Sequence, residues 1–291
     1  MRGRRFVPVI RVARLHSHGT WATAARPARR YLSAMPADSA PRAACVIPTH
    51  RRPHFVAEAV ASALAQSAPP LEVLVVDDAH DAETRALVEA LAAGSALPVR
   101  YLAHGEGPGP STSRNVGARA TGAEWLAFLD DDDRWLPGYL AAALAHVDAD
   151  LVLTARWDVD AAGRRQPGKS PLPAYDARAW LRRNLGGTGS STVVRRELFL
   201  AIGGYDAKLR SGEDRDLILR LMRAGARYAA VGERLLEHRD EGPRLTMDAR
   251  TLLPARFRFL AKHFGAMSAG DVAYMLRKIW REGRRARWRG V

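Results

Sequence analysis

Trp125-Leu126-Ala127-Phe128-Leu129-Asp130-Asp131-Asp132-Asp133 is the stretch that decides the fold. An apolar run enters four carboxylates without a spacer, the pattern of a short buried strand ending in concentrated negative charge. Adjacent carboxylates repel one another, so positive charge belongs among them. Aspartate oxygens suit a hard divalent cation such as Mg²⁺ or Mn²⁺. In open α/β sheets, ligands sit beyond the carboxyl ends of the strands. The stretch therefore points to a metal and, through it, a phosphate. It also reads as a solvated acidic turn, with an Asp capping a helix that begins near Pro137. Taken alone, it supports both readings.

The residues upstream favour the strand. Ala43 to Ile47 is an apolar run closed by Pro48, as in a buried strand. Phe55 to Gln66 has apolar residues at helical spacing. Leu71 to Val76 reads as a second strand ending in Asp77-Asp78, Glu83 to Ala93 as a second helix, and Val99 to Leu102 as a third strand. A Gly/Pro-rich loop, Gly105 to Pro110, precedes a helix over Ser111 to Ala120. This alternation predicts a parallel, Rossmann-like sheet. Downstream, Tyr139 to Val147 reads as helix, Ala149 to Thr154 as strand and Asp158 to Pro173 as loop. Trp180 to Arg183 is a short amphipathic piece, and Gly186 to Ser191 a flexible turn before a strand at Thr192 to Val194. Helices follow at Glu197 to Ile202 and Glu213 to Ala224, the second stopped by Gly225. Leu235 to Arg239 is strand-like.

Composition narrows the function classes. The chain has 291 residues and is 47% hydrophobic, enough for a sizeable core. Its one cysteine, Cys45, excludes an intrachain disulfide framework and a multi-cysteine zinc site. Lying in an apolar run, it reads as a buried, inert thiol. The net charge of +14 divides into +7 over residues 1–40, +6 over residues 275–291 and +1 over the rest. The body is nearly neutral, which argues against a nucleic-acid-binding protein; basic tails favour polyanions generally, anionic lipid surfaces and acidic glycans included. Residues 1–42 read as a basic disordered arm or an upstream start rather than a targeting signal. No apolar run reaches about 18 residues, so no transmembrane helix is expected.

Six pieces of sequence, in order, resemble the family 2 glycosyltransferases. They are Val46-Ile47-Pro48-Thr49, Glu72 to Asp78, Ser113-Arg114-Asn115-Val116-Gly117, Phe128 to Asp133, Gly203-Gly204-Tyr205-Asp206 and Gly212-Glu213-Asp214. The resemblance spans residues 43 to 245. It implies an α/β fold of the GT-A type, a Rossmann-like mixed, mostly parallel sheet flanked by helices. The catalytic domain would cover 43–250, with a C-terminal helical basic segment over 251–291. It also implies an inverting, metal-dependent transfer from a nucleotide-sugar donor to an acceptor hydroxyl. By resemblance, Pro48, Thr49 and Arg51 line the nucleotide cleft. Asp78 accepts from the nucleobase, which favours a uridine donor; the lesser reading from the residues alone is that it only caps the next helix. Arg114 and Asn115 bind the donor or pair with the acidic strand end. Asp130-x-Asp132 matches the DxD motif, with Asp132 the metal ligand, Asp130 and Asp131 near the ribose or metal waters, and Asp133 capping or bracing the following turn. The cofactor is Mn²⁺ or Mg²⁺, bridging the leaving diphosphate.

Asp214 is the expected catalytic base, taking the acceptor hydroxyl proton. Glu213 and Arg220 support it. The helix dipole, acting alone, would lower the pKa of an acid so placed and weaken it as a base. The resemblance makes His238 a candidate metal or diphosphate ligand, although a lone His reads more readily as structural, and makes Asp240 to Thr246 a lid over the donor. At the C-terminus, Ser268-x-x-Asp271 has a capping-box pattern. Val272, Met275, Leu276, Ile279 and Trp280 share a helical face, followed by Arg281, Arg284, Arg285, Arg287 and Arg289 with Trp288 among them. That basic amphipathic helix reads either as packed on the catalytic domain or as docked on a membrane surface. The expected partners are thus a nucleotide sugar, a glycan, lipid-linked or small-molecule acceptor, and a peripheral membrane contact. The expected location is cytoplasmic, at the inner face of the plasma membrane. Two rival functions fit parts of the chain. A metal-dependent nucleotidyltransferase would want a Gly-rich loop after the first strand, and Pro48-Thr49-His50-Arg51-Arg52 has no glycine. A nucleic-acid-binding protein would work through the basic tails.

Overall fold

The computed structural model describes residues 42–239 and 249–288. The expected N-terminal arm and the lid over Asp240 to Thr246 lie outside them, as do the side chains from Arg285 onward. In the first half, β1 (Ala43–Thr49), β2 (Glu72–Asp77), β3 (Val99–Ala103) and β4 (Trp125–Phe128) run parallel, connected by α1 (Pro53–Leu64), α2 (Ala82–Ala93) and α3 (Pro110–Ala120). Every residue of β1, β2 and β4 is buried, as two-sided coverage requires. Alternate residues supply two cores. Val46, Leu74, Val76, Leu126 and Phe128 face one, and Cys45, Ile47, Val73, Val75, Trp125 and Ala127 the other. Burial pushes the Cys45 thiol far above its ordinary pKa, the inert state expected.

The helices form for local reasons. Pro53 opens α1, which buries Val56, Ala59, Val60 and Ala63, one stripe at helical spacing. Asp81 caps α2 by accepting from Thr84 N at 2.9 Å. In α3 a Cβ on Gly117 would stand 2.4 Å from Val46 Cγ1, so only glycine lets the helix lie this close to the sheet.

The second half comprises β5 (Arg134–Trp135), α4 (Tyr139–Leu144), β6 (Leu151–Val159), β7 (Arg165–Pro167), α5 (Ala177–Arg182), β8 (Thr192–Arg195), α6 (Arg196–Ala201), α7 (Glu213–Arg223), β9 (Tyr228–Arg239), α8 (Ala249–His263) and α9 (Ala269–Trp288). The sheet order is β3-β2-β1-β4-β8-β6-β9-β5, with β7 on the flank of β6. β8 is antiparallel to both β4 and β6, and β5 and β7 also run against their partners. The sheet is mixed and mostly parallel, as expected. The expected loop over Asp158 to Pro173 instead contains the end of β6 and all of β7, with Val159 opposite Arg165 and Trp157 opposite Pro167. Backbone pairing at a sheet edge tolerates such polar and proline residues, so no hydrophobic period marks it. β9 is longer than Leu235 to Arg239 because its start pairs with β6 through an irregular register.

The C-terminal helices pack into the first core through Phe259, Leu260, Met275 and Ile279. Asp216 of α7 ties them down. It is fully buried and meets Arg220 Nε at 2.7 Å, Lys262 Nζ at 2.9 Å and His263 Nε2 at 2.9 Å. The α9 capping box forms, with Ser268 N donating to Asp271 Oδ2 at 3.0 Å and Asp271 N to Ser268 Oγ at 3.3 Å. The expected single apolar face divides: Met275 and Ile279 are buried, whereas Leu276 is 46% and Trp280 61% exposed. Residues 275 and 276 differ by about 100° around a helix, enough to carry the second pair off the core. Among the described residues no helix is long and apolar enough to cross a membrane.

Candidate active site

The parallel strands β1, β2 and β4 end together, with Thr49 in register with Asp77 and the acidic run just beyond β4. The run folds into a tight turn, closed by Asp133 N donating to Asp130 O at 3.0 Å. Its four carboxylates have different surroundings. Asp131 is buried and accepts from Thr49 Oγ1 at 2.7 Å and from Arg52 Nη2 at 2.5 Å. Burial outweighs those partners and pushes its pKa up to about 7. Asp133 is also buried, and burial alone would raise it. His238 Nδ1 at 3.0 Å, the Ser190 hydroxyl at 2.5 Å and Arg239 N at 3.1 Å overcome that and hold it below the carboxylate range. Asp133 therefore braces the turn against β9, as expected.

Asp130 and Asp132 are the open members, their side chains 25% and 27% exposed. Arg52 Nη1 donates to Asp132 at 2.9 Å, and Arg114 pairs with Asp130. Burial, then Asp133 and Asp130, raise the Asp132 pKa. Ser190 is the hidden organiser. Its hydroxyl accepts from Asp130 N at 2.9 Å, and its carbonyl accepts from Trp135 Nε1 at 3.1 Å and Tyr139 OH at 2.8 Å. The two rings stack 4.4 Å apart beneath it.

The second acidic centre opens α7. Burial first, then Glu213, drives the Asp214 pKa well above the ordinary value, with Arg114 opposing. Asp214 Oδ1 is buried without a hydrogen-bond partner. The lowering expected from the helix dipole is thus outweighed by desolvation and a like charge. Burial also raises Glu213.

Arg114 lies between the centres. It is 3% exposed, and its Cζ sits 5.0 Å over the Tyr205 ring. Burial works against its charge, yet Asp130, Tyr205 and Asp214 hold its pKa above the ordinary arginine value. Its Nε and Nη1 have no partner. A Cβ on Gly189 would stand 2.5 Å from Nη2, so the loop before β8 needs glycine to admit the guanidinium.

The other expected residues divide. Asp78 accepts from Gly109 N at 2.5 Å and lies 2.5 Å from His50 Nδ1. It does not cap α2, which Asp81 does. Its neighbour Asp77 is structural, accepting from Ala79 N, Asp81 N and Tyr101 OH at 2.7–2.8 Å. Pro48 is buried within β1, opposite Val76. Arg51 is exposed at φ 52°, and this left-handed residue turns the chain so that Arg52, not Arg51, reaches the acids. Asn115 serves the fold: its Nδ2 donates to Tyr205 O at 2.9 Å and its Oδ1 accepts from Tyr205 N at 2.8 Å. Arg220 braces the same turn, donating to Ile202 O at 3.0 Å and Gly204 O at 2.6 Å. Arg52 was foreshadowed only as a basic residue after the first strand. Nothing in the sequence marked Ser190, since a serine in a Gly/Ser turn has no distinguishing pattern.

The oxygen donors of Asp130 and Asp132 suit a hard divalent ion. Among the described residues no three His, Cys, Asp or Glu side chains converge as a ready-made cage. That set fits an ion held by one or two carboxylates and completed by phosphate oxygens.

Comparison with known proteins gives one consistent result. The family model described as "Glycosyl transferase family 2" matches residues 44–203. An uncharacterized glycosyltransferase of Haemophilus influenzae is 30% identical over 185 residues, 61% of this chain and 60% of that protein. The match thus spans under two thirds of the relative's length. The structure of S. aureus TarS in complex with UDP-GlcNAc superposes with a TM-score of 0.60 at 20% identity, covering 83% of this chain and 72% of that one. The mannosyltransferase PcManGT from Pyrobaculum calidifontis, in complex with GDP-Man and Mn²⁺, gives 0.55 at 16% identity, covering 83% and 80%.

Proposed function

This chain belongs to glycosyl transferase family 2, and on that premise we propose that it moves a sugar from a nucleotide-sugar donor, a UDP-sugar foremost, to an acceptor hydroxyl with inversion. The observation that carries the reading is Arg114, a buried guanidinium paired with Asp130 and within electrostatic reach of Asp214. One cation thereby links a donor-side carboxylate to the candidate base.

Asp214 takes the proton of the acceptor hydroxyl. The freed oxygen bonds to the anomeric carbon as the bond to the nucleoside diphosphate breaks, and a single displacement inverts the centre. Its raised pKa supports this role, since a base is most effective when its pKa approaches the working pH. Asp78, oriented by the Gly109 N–H and His50, accepts an N–H of the base. Thr49 and Pro48 form the floor of the nucleotide cleft. The Arg52 fork, already across Asp131 and Asp132, suits the donor's phosphates. Asp132, with Asp130 beside it, would hold a divalent cation, Mn²⁺ or Mg²⁺, and that ion would supply charge stabilisation to the leaving diphosphate. Asp133 holds His238 by Nδ1, so that Nε2 would be the nitrogen to meet a metal or diphosphate oxygen once the donor is bound.

The acceptor is a glycan, most economically a lipid-linked one. In support, Phe257, Phe264, Leu276 and Trp280 are exposed on α8, on α9 and between them, alongside exposed Arg277, Arg281 and Arg284. Apolar and cationic groups together favour an anionic membrane surface.

The test is donor binding and hydrolysis across a nucleotide-sugar panel with Mn²⁺, Mg²⁺ or EDTA. One donor is expected to bind only with metal, and Asp132→Ala to weaken it at least tenfold. A folded protein that binds no nucleotide sugar with metal present overturns the reading.

A further inference from the structure

Arg215 of α7 plays no part in the chemistry just described and pairs with no carboxylate among the described residues. It is 1% exposed, its Cζ lies 3.6 Å from the centroid of the Phe259 ring, and its Nε and Nη2 are buried without hydrogen-bond partners. The aromatic face supplies a cation–π contact but satisfies no N–H. Its neighbours add positive charge. Arg256 of α8 and Lys278 of α9 both act on Arg215 electrostatically, and Arg256 and Glu282 form an ion pair at 3.3 Å. Burial first, then the neighbouring cations, pull Arg215 down to about 9 and Lys278 down to about 8.

Among the described residues no nearby acid resolves the imbalance. Asp216 is held by Arg220, Lys262 and His263, and Glu282 already faces Arg256. Three cations against one carboxylate leave a local charge near +2. A buried, unpaired guanidinium is costly unless something completes it. An arginine fork matches two oxygens of one tetrahedral anion. A dianion matches the charge, where a single carboxylate would leave half of it uncompensated. Arg256 and Glu282, at the edge of the cluster, are 17% and 21% exposed.

We propose that Arg215, Arg256 and Lys278 form a phosphoryl-binding site between α7 and the C-terminal helices, separate from the donor site. The phosphoryl group is either free or the headgroup of a lipid phosphate monoester. Because α7 carries Asp214 one residue away, occupancy of this site fixes the helix that bears the base. The inference stands on the Arg215 cluster and does not depend on the identity of the donor.

The full chain in EDTA is titrated calorimetrically with inorganic phosphate and with glycerol 3-phosphate. In parallel it is sedimented with phosphatidylcholine vesicles with and without phosphatidic acid. The variants are Lys278→Gln, Arg256→Gln and Arg215→Met, with Arg164→Gln, an exposed residue in the turn between β6 and β7, as the control for net charge. Saturable phosphate binding is expected, weakened about tenfold by Lys278→Gln and by Arg256→Gln, abolished by Arg215→Met and changed less than about twofold by Arg164→Gln. Arg215→Met is also expected to raise Tm in phosphate-free buffer, because it removes an unpaired buried charge. Should free phosphate not bind while phosphatidic acid vesicles do, with the same variant pattern, the ligand is a lipid headgroup. Binding in neither arm, or variant effects no larger than that of Arg164→Gln, overturns the proposal. If Arg215→Met does not fold, the two partly exposed variants decide. Donor binding measured with metal on the same samples separates failure here from failure of the transferase reading.

Discussion

The two acidic centres differ in how their charge is answered. Asp130 to Asp133 meet Arg52, Arg114 and His238, one cation or imidazole within reach of each carboxylate. Among the described residues Glu213 and Asp214 share only the reach of Arg114 as a cation, and desolvation pushes both carboxylates toward the protonated form. A centre with partners already in place suits the exchange of one cation for another. A centre short of partners suits the gain of a proton. The sequence writes both as adjacent acids, and only their surroundings divide the roles.

The comparison breaks hardest at Asp214. Asp214→Asn is expected to lower kcat about 10³-fold while donor binding with metal changes less than about twofold. Loss of donor binding instead would move Asp214 to the donor side. The packing beneath the second centre comes next. Asp216→Asn leaves Arg220, Lys262 and the buried His263 imidazole short of their carboxylate and is expected to cost about 3 kcal/mol in urea unfolding. Despite burial, His263, Arg220 and Lys262 pull the Asp216 pKa down to about 2. The folded value lies below the unfolded one of about 3.9, so its contribution is present above about pH 4 and lost as pH falls toward 2. In wild type this amounts to no more than about 2.5 kcal/mol, and a pH-dependent unfolding series should lose that slope in the variant.

Arg114→Lys tests the link between the centres, because an ammonium cannot reproduce the guanidinium fork. A fall of about 30-fold in kcat/KM is expected. Arg114 favours the charged form of Asp214, so a weaker interaction raises that pKa and moves the acid limb of the pH–rate profile upward. An unmoved limb would show that the two centres act independently. The smallest expected effect separates neighbours: Arg52→Ala should weaken donor binding about fivefold, and Arg51→Ala by less than about twofold.

The two halves of the fold were unequally legible. Ala43 to Ile47, Leu71 to Val76 and Trp125 to Leu129 are doubly buried strands, so continuous apolar runs announced them and their acidic ends. β5, at Arg134 and Trp135, and β7, at Arg165 to Pro167, are held by backbone pairing at the sheet's edge, which leaves no hydrophobic period. The site shows the same contrast. Asp133 bracing its turn could be read from its place after Asp132. That Asn115 would hold the Tyr205 backbone, or Arg52 displace Arg51, depends on contacts between distant segments and on one left-handed residue.

The antiparallel strand β8 carries a consequence for biosynthesis. It is the partner that closes the open side of β4, yet Thr192 follows Phe128 by a long stretch of chain. Until that stretch has left the ribosome, Trp125-Leu126-Ala127-Phe128 presents an unpaired apolar edge, the kind of surface that recruits other strands. A nascent chain paused before residue 192 is therefore a natural client for a chaperone. A fragment cut after α4 would keep that edge for good, however complete its parallel strands.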